Sequence, residues 1–64
     1  MVPDIWVYRT ADRLITKHGE RALNATDRLV DAALDRRDAD RVLLMLRVRL
    51  AVQLLQAAPS GLLH

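Results

Sequence analysis

Few side chains in this sequence could do chemistry. There are two histidines, His18 and His64, and three carboxylates at helical spacing, Asp27, Asp31 and Asp35. A row of cations, Arg9, Arg13 and Lys17, stands beside the single tryptophan, Trp6. A catalytic reading of the carboxylates fails on their setting, because they share the polar face of an amphipathic segment, where like charges are solvated rather than poised for proton transfer. The chain has no cysteine, which excludes disulfides, thiolate metal sites and a cysteine nucleophile. It also lacks a Ser-His-Asp order and a glycine-rich phosphate loop. His18 sits at a helix end, where it reads as capping and dipole chemistry, and His64 is the last residue. The expectation is a protein that is not an enzyme and that uses no metal or cofactor.

Arg9, Arg13 and Lys17 recur every four residues and so form one basic face on a helix, with Trp6 among them. Such a face suits phosphate contacts with a base stacked on the tryptophan, giving weak, backbone-driven and salt-dependent nucleic-acid binding. The simpler reading is a solvated stripe, with Trp6 either lying over Arg13 or acting as a protein-interface anchor. A formal charge of +2 from 10 basic and 8 acidic residues is too small to single out nucleic acid as the partner.

Three helices must carry these groups. The first is expected from about Pro3 to His18, with Ile5, Tyr8, Ala11, Leu14, Ile15 and His18 on one face and Val7 at its border. Pro3 suits the first helical position, and Gly19 supplies the stop. The second is expected from about Glu20 to Arg36. Ala22, Leu23, Ala25, Thr26, Leu29, Val30, Ala33 and Leu34 form its apolar arc. The third follows Asp38, a natural N-cap with Asp40 in the first turn, and runs from 39 to about 58. Pro59, Ser60 and Gly61 stop it before a short tail, 59–64. Connections this short give a compact all-α three-helix unit forming a single domain over 1–64, with the third helix the most buried.

That third helix is apolar nearly all round. Only Arg47, Arg49, Gln53 and Gln56 interrupt the run from Val42 to Ala58. Two arcs compete for the core: Leu43, Leu46, Leu50 and Leu54 on one side, and Leu44, Met45, Val48, Ala51, Val52 and Leu55 on the other. One arc closes the monomer and the surplus calls for a partner. The second arc, together with Trp6, is the candidate interface, and the expected function is a small protein-interaction module that homodimerises or docks on a larger protein. Arg47 interrupts the leucine arc. It must reach solvent or a carboxylate, with Asp27, Asp31, Asp35 or an acid across a dimer interface as candidates. At 64 residues a core alone is close to its lower limit, which also favours association. The apolar run is too short and too charged for a membrane span, and no basic-then-apolar leader opens the chain. The expectation is therefore a cytoplasmic protein without a membrane partner.

The order Tyr8-Arg9-Thr10-Ala11, then Leu14-Ile15-Thr16-Lys17-His18-Gly19-Glu20, continues through Ala22, Asp31, Leu34, Asp38 and Asp40 to Arg47, Ala51, Val52, Leu55 and Gln56. This pattern resembles a family of short helical proteins common in alphaproteobacteria, in one register from about Val7 to Gln56. The resemblance implies the all-helical fold and carries no established activity to transfer. It places glycine where this chain has Arg37 and Arg41, and tryptophan where it has Met45.

Overall fold

The computed structural model describes residues 3–57, and these form an all-α unit of three helices. Helix α1 spans Asp4–His18, α2 spans Ala22–Asp35 and α3 spans Ala39–Ala57. The expected stop at Pro59–Gly61 and the tail lie outside the described residues.

Local chemistry sets each boundary. Pro3 is the N-cap rather than the first helical residue, with extended backbone (ψ 146°). Its carbonyl accepts from the Trp6 and Val7 amides, which closes the first turn without a side-chain cap. At the other end Gly19 takes φ 57° and ψ −124°, a combination open to glycine because it has no Cβ. The chain then makes a short 3₁₀ turn, Gly19–Arg21, which delays α2 to Ala22 instead of the expected Glu20.

Helix α2 ends in a Schellman arrangement. The Asp38 amide reaches back to the Ala33 carbonyl and the Arg37 amide to that of Leu34, both at 3.0 Å. The left-handed residue this motif requires is Arg37, at φ 56°. The next helix is capped as the sequence suggests: Asp38 Oδ1 accepts from the Arg41 amide at 3.1 Å.

The core is built from small side chains. Val7 and Ala11 of α1, Ala22, Thr26 and Ala33 of α2, and Met45, Val48, Ala51 and Val52 of α3 are buried. The largest side chains with essentially no exposure are Val48, Val52 and Thr26. Small residues let the helices approach closely, and α3 packs into the seam between α1 and α2. Thr26 donates its hydroxyl to the Leu23 carbonyl at 2.7 Å, so its burial leaves no unpaired polar atom. Full burial of a Val or Met side chain contributes about 1.5–3 kcal/mol, and Val7, Met45, Val48 and Val52 stand near that level. Leu14, Ile15, Leu23, Leu29, Val30, Leu44 and Leu55 pack on the core while half-buried. No described helix is long and apolar enough to cross a membrane.

Candidate functional sites

Two ion pairs fix the roll of α3. Arg47 binds Asp4 of α1, and Arg49 Nε donates to Asp27 Oδ1 of α2 at 2.8 Å. The α2 carboxylates are among the partners that the sequence offers Arg47. The structure gives it Asp4 instead, because Arg47 lies on the α1 side of the seam and Asp27 is taken by Arg49 from the other. Both pairs are solvent-exposed and each contributes at most about 1 kcal/mol. Their geometric effect is larger, since each ties one shoulder of α3 to a different neighbour. Gln56 adds a third tie, donating Nε2 to the Gly19 carbonyl at 2.9 Å. With Asp4 near one end of α1 and Gly19 just past the other, α1 and α3 run in the same direction.

With α3 rolled this way, the two arcs exchange the positions expected of them. Met45, Val48, Ala51 and Val52, expected to meet a partner, are buried within the monomer, and Leu44 and Leu55 are half-buried beside them. The arc left outside is Leu43, Leu46, Leu50 and Leu54, with 63%, 45%, 56% and 53% of their surface exposed. Arg47 belongs to the leucine arc, and with that arc outward its guanidinium stays at the surface beside Asp4. Ile5 and Tyr8 are also exposed, not core as their face suggested, and Val7 takes the buried place. Tyr8 lines a groove with Asp4, Arg47, Leu50 and Leu54, so the apolar strip of α3 continues onto α1. At its other end, Leu34, Arg37, Ala39, Val42 and Leu43 line a shallow apolar hollow at the α2–α3 turn.

Trp6 is partly exposed at 41%, and the Thr10 hydroxyl donates to its carbonyl at 2.8 Å. Arg9, Arg13 and Lys17 are exposed, and among the described residues none of them forms an ion pair. Lys17 does not stay with that row alone. It joins His18, Arg21, Asn24 and Arg28 around a cleft of about 760 Å³ between α1 and α2, floored by Leu14, Ala25 and Leu29. Sequence reading missed this site because its cations come from two helices and the turn between them. The signal was the i, i+3, i+4 spacing of Leu14, Lys17 and His18, repeated in Arg21, Asn24 and Ala25. No group of three or more His, Cys, Asp or Glu side chains that could hold a metal occurs among the described residues.

Fold and surface together define a three-helix unit with a small-residue core, an outward leucine strip and one cationic cleft. No protein-family model, curated protein or solved structure matches the chain.

Proposed function

We propose that the protein is a small helical interaction module that self-associates through the outer face of α3. The observation that supports this reading is the division of side chains between core and surface. The core keeps mainly Ala, Val and Thr, while Leu43, Leu46, Leu50, Leu54, Ile5 and Tyr8 face outward. Exposed apolar side chains gathered along one helix face are the kind of surface that marks a protein-interaction site.

The spacing of the strip favours a second copy as its occupant. Measured from Leu50, the outward residues stand at −7 (Leu43), −4 (Leu46), +4 (Leu54) and +7 (Ala57). This arrangement reads the same in both directions. An antiparallel pairing about a two-fold axis at Leu50 therefore sets Leu43 against Ala57 of the other copy and Leu46 against Leu54, large against small at the ends. Self-complementarity of this kind is what an isologous dimer requires. The same axis sets Arg47 opposite Gln53, so no like charges face each other. Arg47 and Arg49 are already neutralised by Asp4 and Asp27 within each chain.

The test is light-scattering mass after size exclusion, followed through a dilution series. The wild type is expected at twice the chain mass. Leu50→Glu places a carboxylate against its own image on the axis and should give a monomer that keeps its helical circular dichroism, because Leu50 faces outward. Leu46→Glu alone should also give a monomer, and adding Leu54→Lys should restore the dimer through paired opposite charges. Val48→Glu is the contrasting case: it buries a carboxylate in the monomer core and should unfold the chain. A wild-type monomer at every concentration, or a dimer undisturbed by Leu50→Glu, overturns the proposal.

A further inference from the structure

We propose that the cleft between α1 and α2 is a binding site for a small organic phosphate: a molecule with a phosphate or diphosphate group on a compact apolar body. This inference is independent of self-association, because the cleft lies on the α1–α2 side of the molecule and shares none of its lining with the leucine strip.

The cleft collects positive charge and leaves it uncompensated. Lys17, Arg21 and Arg28 line it, joined by His18 and Asn24, and no carboxylate is among the lining residues. Several acidic residues are close in sequence, yet none answers these cations. Asp27, next to Arg28, turns the other way and pairs with Arg49 of α3. Glu20 and Asp31 are exposed and form no ion pair among the described residues. An anion in the cleft would meet three cations that no ion pair among the described residues engages. The guanidinium groups of Arg21 and Arg28 present planar donor forks that match phosphate oxygens, and Lys17 adds a point charge. Asn24 supplies a neutral donor and acceptor.

The floor of the cleft narrows the ligand class further. Leu14, Ala25 and Leu29 form an apolar base beneath the polar rim. A bare inorganic anion would leave that base in water, whereas a ligand with a flat or aliphatic body would cover it. The volume of about 760 Å³ is in the range that holds a ligand of nucleotide size. Three cations suit a doubly or triply charged head better than a single carboxylate. A nucleoside diphosphate therefore serves as the probe.

The experiment is an NMR titration of the full chain with ADP. Inorganic phosphate, pyrophosphate, vesicles rich in acidic phospholipid and a short DNA duplex form separate arms. Saturable ADP binding is expected, with amide shifts concentrated at Lys17, Arg21, Asn24 and Arg28, tighter than for pyrophosphate, and pyrophosphate tighter than phosphate. Arg21→Gln and Arg28→Gln should each weaken ADP binding about tenfold, the scale of one lost hydrogen bond to a charged group. Arg9→Gln, away from the cleft, should leave it unchanged. All three side chains are exposed, so retained circular dichroism is expected and confirms that the fold survives. Four results overturn the proposal: no saturable ADP binding at millimolar concentration, equal weakening by Arg9→Gln, shifts outside the cleft, or binding to duplex or vesicles alone.

Discussion

The residue that ends α2 offers a test of how backbone geometry governs stability here. Arg37 occupies the left-handed region at φ 56° while its amide and that of Asp38 close the Schellman motif. For a residue with a Cβ this conformation costs about 1–2 kcal/mol, because the Cβ crowds the following carbonyl. Glycine is free of that clash but gives its unfolded chain more freedom, which takes back about 0.5–1 kcal/mol. Arg37→Gly should therefore stabilise the protein by about 0.5–1 kcal/mol, a rise in Tm of roughly 2–8 °C for a domain of this size. Removing a cation near a helix C-terminus offsets some of this gain, so Arg37→Ala is the proper reference: it loses the same charge and keeps the Cβ. A second comparison, Ala32→Gly at an exposed position inside α2, should cost about 1 kcal/mol and so carry the opposite sign. The assay is urea and thermal denaturation at one fixed protein concentration, since association would make Tm concentration-dependent. If the glycine variant at 37 is no more stable than the alanine variant, left-handed strain is not what Arg37 contributes.

Two further outcomes follow from the same geometry. Gly19→Ala should destabilise by about 1–3 kcal/mol in the same denaturation assay, through backbone strain alone: a Cβ at Gly19 meets nothing within 4 Å, yet its φ of 57° with ψ −124° disfavours any L side chain. A loss well above that range would show that the turn is crowded rather than strained. Gln56→Ala removes the bond to the Gly19 carbonyl and should cost about 0.5–1.5 kcal/mol. Amide hydrogen exchange should then speed up at the Gly19–Arg21 turn and the end of α3 while mid-helix amides of α2 keep their protection. Uniform acceleration along the chain would argue against a local tie.

Much of the secondary structure was legible in the sequence. Gly19 marked the end of α1, Asp38 capped α3, and periodicity gave α2 its buried Ala22, Thr26 and Ala33. These features are local: each depends on one residue's conformational freedom, one side-chain acceptor, or a repeat within a single helix. Position 37 was the less obvious case. The backbone conformation there is one that glycine adopts most easily, yet this chain uses arginine.

Which side of α3 faces inward was decided only by the tertiary structure. Both of its arcs are apolar, so periodicity within the helix cannot rank them. The choice rests on fit and charge across helices. Val48, Ala51 and Val52 are small enough to bring α3 close to α1 and α2, whose buried contributions include Ala11 and Ala22. That roll also lets Arg47 reach Asp4 and Arg49 reach Asp27 from opposite shoulders. The cationic cleft is of the same kind. Lys17, Arg21 and Arg28 are unremarkable along the chain, and they face one space because the Gly19–Arg21 turn folds α2 back beside α1. The sequence alone determined that three helices form and where α1 and α2 stop, because those signals act within a few residues. Which faces they bury, and which charges they gather, depended on contacts between helices that no single segment encodes.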